Sequence, residues 1–189
     1  LMIVAVLVSL ALGRYPISPG DALSMLVSKV IALPHTWTDR QETLFFNVRL
    51  PRIVLALMVG CCLSAAGAAF QGIFQNPLVS PDILGASQGA AFGAAIAILA
   101  GAASLGISLS AFGFSLLTVV IVLIVSARAK GNHILIVVLA GVMVSSLFSA
   151  GVSYAKLVAD PTNQLASITY WLMGSLTGAK PSDIALAAG

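Results

Sequence analysis

Apolar runs long enough to cross a membrane dominate this 189-residue sequence and limit the folds open to it. A membrane-spanning helix needs about 20 mostly apolar residues. Five runs approach that length, and a sixth begins near Ser182; the five cover about 1–13, 51–74, 82–100, 108–127 and 134–158. Because charged residues make up only 8% of the chain, polar groups cannot cover most of its surface. We therefore predict an all-α fold, a polytopic transmembrane helical bundle.

The chain opens inside one apolar run and closes inside another, so we expect a single transmembrane domain over 1–189 that belongs to a longer protein. Four membrane helices fill about 51–158 in this scheme. A short external helix follows at about 163–176, where Tyr170 and Trp171 are typical of a membrane interface.

The segment at about 14–50 has a different character, and we expect it to be external and amphipathic. Ser18, followed by a proline and an acid, matches a helix start, and apolar residues then recur at helical spacing. This pattern predicts a helix lying on the membrane surface. Thr38 and Gln41 fit a capping box, and Pro51 is placed at the start of the second membrane helix.

Small residues recur every four positions in two of the runs. Gly85, Gly89 and Gly93 would share one helix face, which predicts close helix packing. In the fifth run the row consists of Gly141, Ser145, Ser149 and Ser153, with Ser146 beside them, so most of its members carry hydroxyls. Two interpretations remain open for these serines, namely helix–helix packing or the uncharged wall of an aqueous path for a large solute.

Several functional classes are disfavoured by what the sequence lacks. Lysines and arginines lie at breaks between runs, which disfavours an ion-coupled carrier. No phosphate-binding G-x-x-x-x-G-K-[ST] loop and no catalytic constellation is present, so we expect no enzyme activity. Cys61 and Cys62 have no histidine or acid at metal-ligand spacing, so we expect no cofactor or metal. The net charge of +3 is too small and scattered for nucleic acid.

One long motif is more specific: the chain reads R-L-P-R from Arg49, then Q-x-x-x-x-N-P-L, then P-D-I-L-G ending at Gly85. Together with "LAGVMVSSLFSA" and "YWLMGSL", this order resembles the FecCD-type permeases. These are membrane subunits of bacterial ABC importers for ferric siderophores, haem and vitamin B12. The resemblance implies their ABC type II importer permease fold of ten helices per subunit, of which this chain would hold the first five to six.

The resemblance also implies roles for four residues. Asn76 and Leu78 match positions that constrict the cytoplasmic exit as a gate, although a simple helix connector is the alternative. Arg49 and Arg52 match arginines that dock onto acidic side chains of a substrate-binding protein. Anchoring of the helix end at the interface is the alternative for these arginines.

The implied partners are a second permease subunit (a copy or a paralogue), two ATP-binding subunits, a periplasmic or lipoprotein substrate-binding protein, and membrane lipid. The implied location is the bacterial cytoplasmic membrane. A simple positive-inside count would invert this topology, and we keep the family orientation because its external arginines have an expected partner. The expected cargo is an iron(III)–siderophore complex, with haem or cobalamin as the alternative. An ion-coupled carrier and a non-transporting scaffold remain as other classes.

Overall fold

A computed structural model describes residues 2–11, 13, 15, 17–28, 37–75, 80–179, 181 and 184. Every element assigned within these ranges is helical, which confirms the all-α class. The helices are α1 (Met2–Ala11), α2 (Pro19–Ser28), α3 (Asp39–Leu44), α4 (Leu50–Phe74), α5 (Ala86–Leu99), α6 (Ser104–Arg128), α7 (His133–Val158) and α8 (Gln164–Met173). A π-helical turn, Phe45–Arg49, joins α3 to α4, and a 3₁₀ turn, Pro81–Leu84, precedes α5.

Among the described residues, three helices are long and apolar enough to cross a membrane: Asp39–Phe74, Ser104–Arg128 and Ile134–Val158. The run expected at 82–100 is broken instead. Gly85 adopts a left-handed backbone with φ of 72°, which ends the 3₁₀ turn and starts α5 four residues later than expected. Glycine enters this region without the steric penalty of a side chain.

Helix α4 begins at Leu50, one residue before the start expected at Pro51, but it is not preceded by a break in the helix. The helix is continuous from Asp39, because a π turn widens the backbone just before the proline. Leu50 N–H donates to the Phe45 carbonyl five residues back. A proline lacks an N–H and crowds the carbonyl four residues earlier, and a wider turn relieves that crowding.

The chain divides into two compact units, of which the first comprises the described parts of Leu1–Cys62 and Leu176–Gly189. Its core buries side chains from α1, α2 and the α3 region: Leu10, Ile17, Ala22, Met25, Trp37 and Phe45. Ala22 and Met25 of α2 pack into this core, whereas Leu23 is exposed, so the membrane-surface position of α2 stays a prediction. Both expected caps form: Asp21 N–H donates to Ser18 Oγ at 3.0 Å, and Thr38 and Gln41 make a capping box.

The second unit, Leu63–Ser175, has α5 packed against α6, α7 and α8. Three rings from α5, α6 and α7 meet at its centre: the Phe92 centroid lies 5.5 Å from that of Phe114 and 5.4 Å from that of Phe148. At the other end of α5, Gln164 Nε2 donates to the Leu99 carbonyl at 3.2 Å and holds α8 in place. This unit contains the glycine and serine rows that the sequence singled out.

Candidate functional site

Arg49 is partly buried and binds the end of α1. Its Nη1 donates to the Leu10 carbonyl at 2.5 Å, and its Nη2 donates to the Tyr15 carbonyl. The last four carbonyls of a helix have no partner within the helix, and α1 ends at Ala11. Gly13 lies so close that an added methyl group would overlap the guanidinium. Arg49 therefore caps α1.

Arg52 lies one turn further along α4 and is also partly buried. Its Nη2 donates to the Thr177 carbonyl, while its buried Nε has no hydrogen-bond partner among the described residues. The two arginines line one cavity of about 330 Å³, which also includes Ser9, Tyr15 and Val48. Docking of a binding protein by these arginines remains a prediction. Each arginine also makes a hydrogen bond to a backbone carbonyl of this chain.

The expected gate residues, Asn76 and Leu78, lie outside the described residues. The turn that follows them is described. Ser80 occupies the N-cap position of the 3₁₀ turn with extended backbone, but its hydroxyl makes no capping hydrogen bond. Its carbonyl instead accepts from Ile83 N–H at 3.2 Å. The Ser80 side chain therefore does not cap this turn.

The three glycines do not share one face, because Gly85 precedes α5 in a left-handed conformation. Gly89 and Gly93 face α6: a Cβ on Gly89 would lie 2.7 Å from the Phe114 carbonyl oxygen, and one on Gly93 would lie 2.6 Å from that of Ser110. A Cβ on Gly85 would instead overlap the Ser145 side chain of α7. The row thus divides between two neighbouring helices.

Two further glycines allow close approach on α7. A Cβ on Gly141 would overlap the Ile83 carbonyl oxygen, and one on Gly151 would lie 2.5 Å from the Phe92 ring. The sequence placed Gly141 in the serine row but did not single out Gly151. A single glycine among larger residues in a helix is the sequence signal that indicates a close approach by a neighbouring element.

The serine row separates into a packed and an exposed part. Ser145 is partly buried beside Gly85 and donates to the Gly141 carbonyl at 2.6 Å. Ser146, Ser149 and Ser153 are exposed. Ser146 donates to the Val142 carbonyl at 2.8 Å, and Ser153 to the Ser149 carbonyl at 3.1 Å. Their hydroxyl protons are thus satisfied within α7, so these serines need no partner from another helix.

Charge is sparse along α6 and α7. Arg128 and Lys156 lie in the last turns of α6 and α7. No group of three His, Cys, Asp or Glu side chains that could hold a metal ion occurs in the part of the chain that the structure describes. The exposed face of α7 therefore offers neutral hydroxyls.

Asp160 lies in the loop between α7 and α8. Its carboxylate accepts from the Thr162 hydroxyl at 2.6 Å and from Asn163 N–H at 3.1 Å. The Thr162 hydrogen bond is the main cause that lowers the pKa of Asp160 below its ordinary value of 3.8. The ionised carboxylate thus braces the entry to α8.

Comparison with known proteins identifies the family, since the sequence profile of the FecCD transport family matches residues 1–189. The chain belongs to the FecCD transport family. It is 39% identical over 175 residues to the molybdate import system permease protein MolB of Haemophilus influenzae, covering 93% of this chain and 51% of that one. It is 34% identical over 181 residues to the vitamin B12 import system permease protein BtuC of Escherichia coli O1:K1 / APEC, covering 94% and 50%.

A solved structure has the same fold. It is an inward-facing conformation of an ABC transporter of the metal-chelate type, 34% identical, with a TM-score of 0.79 over 97% of this chain and 54% of that one. The chain spans about half the length of the curated relatives that it matches. The similarity therefore extends over about half of each of these relatives.

Proposed function

We propose that this chain is the N-terminal part of a permease subunit of a bacterial ABC importer in the cytoplasmic membrane. The observation that carries the proposal is the family match over residues 1–189, supported by three helices that can cross a membrane. We keep the single transmembrane domain over 1–189, with external segments at about 14–50 and 163–176, as part of this proposal. The subunit pairs with a second permease, a copy or a paralogue.

Energy comes from outside this subunit in the proposed mechanism. Ionisable groups within membrane helices usually mark ion-coupled transport, and α6 and α7 hold theirs in the last turn. Two separate ATP-binding subunits hydrolyse ATP, and a binding protein delivers the cargo to the outer mouth. The exposed face of Ser146, Ser149 and Ser153 lines the path.

The cargo we propose is an iron(III)–siderophore complex, with haem or cobalamin as the alternative. The likeness to a metal-chelate type transporter supports this class. The Ser146 and Ser153 hydroxyls donate to carbonyls of their own helix. The exposed hydroxyls carry no net charge, which suits the passage of a bulky chelate that must not bind tightly.

The test is uptake by the full-length protein in vesicles with its ATP-binding subunits and binding protein. Uptake of ferric chelate should require ATP and all partners, and should persist when a protonophore removes the proton gradient. Uptake by the permease alone, or uptake that stops with the gradient while ATP is intact, contradicts the proposal. Haem, cobalamin and molybdate offered in parallel identify the cargo, and absence of any cargo-stimulated ATP hydrolysis would indicate a scaffold.

Docking of the binding protein is proposed for Arg49 and Arg52, and the two should behave differently. Arg52 has an unsatisfied Nε, whereas Arg49 caps α1. An exposed ion pair contributes about 0–1 kcal/mol, so these arginines steer and orient the partner more than they hold it.

Arg52→Glu should slow binding-protein association and remove most of its salt dependence, with partial rescue by a lysine in place of the partner's acid. Arg49→Glu should also lower the stability of the permease, because α1 loses its cap. Stopped-flow binding at two salt concentrations, with Arg40→Glu as the exposed control, measures the effect. Wild-type kinetics for Arg52→Glu would remove the docking role.

A further inference from the structure

The cavity beside the two arginines holds positive charge with no acid in its described wall. It lies in the first compact unit, has a volume of about 330 Å³, and is lined by the end of α1, the segment after it and the start of α4. Arg49 and Arg52 both contribute to the wall. A partly buried charge without a counter-charge is destabilising, because burial removes part of its hydration. The cavity therefore favours an anion.

Arg52 has more hydrogen-bond donors than the described chain fills. A guanidinium carries five N–H groups. The described chain supplies the Thr177 carbonyl, which accepts from Nη2. The Nε of Arg52 is buried and has no acceptor among the described residues. Because unpaired donors away from water are destabilising, a ligand that brings several acceptor oxygens to this guanidinium would be stabilised.

The other walls of the cavity distinguish between oxyanions. Leu44, Val48 and Ile53 give it apolar sides. A free phosphate ion is hydrated on every side and gains nothing from such walls, whereas the glycerol and acyl carbons next to a lipid phosphate are stabilised by burial against them. Arginine binds phosphate oxygens in a planar, bidentate geometry. The cavity thus suits a phosphate group that is attached to an apolar body.

Helix α1 provides a surface for that apolar body. Ser9 lines the cavity, and Ala5 and Met2 lie four and seven residues before it, on the same face of the helix. All three are exposed. From Ser9 back to Met2 the helix runs about 10 Å, which is less than half the thickness of about 30 Å of the hydrocarbon core. This face is therefore a track for an acyl chain, and it begins at the cavity.

We propose that the cavity binds the phosphate of an anionic phospholipid, with one acyl chain along the Met2, Ala5 and Ser9 face of α1. Arg52 donates to the phosphate oxygens, and Arg49 adds a second positive charge while it caps α1. A zwitterionic lipid binds less well, because its own cationic group is repelled by the arginines. Basic pockets between membrane helices bind anionic headgroups on the same principle. The proposal goes beyond import and does not depend on the cargo.

Lipid retention by the full-length protein tests the site. The protein is placed in nanodiscs with equal amounts of phosphatidylglycerol and phosphatidylcholine of the same acyl chains, and lipids that stay bound after release are counted by native mass spectrometry. The wild type should retain phosphatidylglycerol preferentially. Arg52→Gln should lower that retention about tenfold, because charge-assisted hydrogen bonds are lost. Arg40→Gln removes an exposed arginine of the same unit and should retain the lipid like the wild type.

A second variant fills the cavity and leaves both arginines in place. Ser9→Leu puts a larger side chain into the wall, and leucine is a good helix former. It should also lower the retention of phosphatidylglycerol. Added phosphatidylglycerol should raise the unfolding temperature of the wild type but of neither Arg52→Gln nor Ser9→Leu, because a ligand that binds only the folded state stabilises it.

Three outcomes would overturn the proposal. Retention of phosphatidylglycerol by Arg52→Gln and Ser9→Leu equal to that of the wild type would show that the lipid binds elsewhere. Displacement of the lipid by an equal concentration of inorganic phosphate, or of glycerophosphoglycerol, which lacks acyl chains, would assign the cavity to a free phosphate. Unchanged lipid retention by Arg52→Gln together with lost association of the binding protein would assign the cavity to a carboxylate of that protein.

Discussion

Gly141 sets the distance between α7 and the turn before α5. The absent side chain leaves room for the Ile83 carbonyl, and Gly85 opposite lets Ser145 fit. The sequence placed Gly141 in a small-residue row, because a four-residue period can be read directly. It could not tell which neighbour each glycine meets, because that depends on the left-handed turn at Gly85.

Gly141→Ala should destabilise the protein, because the added methyl group overlaps a backbone oxygen that cannot rotate away. Overpacking of this kind costs about 1–3 kcal/mol. Gly113→Ala is the matched control, since nothing lies within 4 Å of its added Cβ, and it should be neutral or slightly stabilising. Thermal unfolding of both variants in detergent gives the comparison. Equal unfolding temperatures for the two variants would mean that the turn at Ile83 moves aside without cost to stability.

Asp160 should titrate below 3.8 in the folded protein, since the Thr162 hydroxyl and Asn163 N–H favour its ionised form. A lowered folded pKa means that the brace stabilises the loop above the ordinary pKa and is lost as the pH falls through the folded value. A ¹³C NMR titration of the carboxyl group measures the midpoint. Thr162→Val should raise it, because the main hydrogen bond is removed. The same midpoint in both proteins would contradict the assigned cause.

At the scale of elements, the sequence predicted helices better than their boundaries. The cap at Ser18 and the capping box at Thr38 were predicted correctly because they are local patterns. The continuity of α3 with α4 was missed, because a proline normally marks a helix start and the π turn that accommodates it has no clear sequence signal. The cap that Arg49 provides for α1 joins residues 39 positions apart, which a linear pattern cannot reveal.

Arg49→Ala should loosen α1, since hydrogen bonds from a charged donor to two carbonyls are lost. Such bonds contribute about 1.5–3 kcal/mol, so amide exchange in α1 should accelerate about tenfold or more. Arg49→Lys should recover little, because one ammonium group cannot reach both carbonyls in the geometry of a planar guanidinium. Hydrogen exchange read by mass spectrometry, with Arg40→Ala as control, measures the effect. Unchanged exchange in α1 would show that its core contacts suffice.

At the scale of the whole molecule, composition and run length predicted the all-α class and the spans of α6 and α7 to within a few residues. They did not predict that the serine row separates, because exposure depends on how α5, α6 and α7 pack around the phenylalanine rings. Ser145 is partly buried, whereas Ser149 is exposed. The four-residue spacing therefore describes the helix alone, and the serines that share it lie in two different environments.

Ser149→Cys should react with a charged thiol reagent in the full-length transporter, and bound cargo should slow the reaction, if this face lines the path. Leu147→Cys, 71% exposed in this chain, is the neighbouring control and should react poorly. Both are made in a background with Cys61→Ala and Cys62→Ala. Equal reactivity of the two sites, with no effect of cargo, would return Ser149 to a packing role.

The uninterrupted helix from Asp39 to Phe74 has 36 residues, which at a rise of about 1.5 Å makes it about 54 Å long. The hydrocarbon core of a bilayer is only about 30 Å thick. If the helix crosses it upright, roughly four-ninths of its length lies outside that core. The helix runs without a break through the π turn at Phe45–Arg49. A water-soluble protein that binds the part of this helix outside the bilayer needs no contact with lipid.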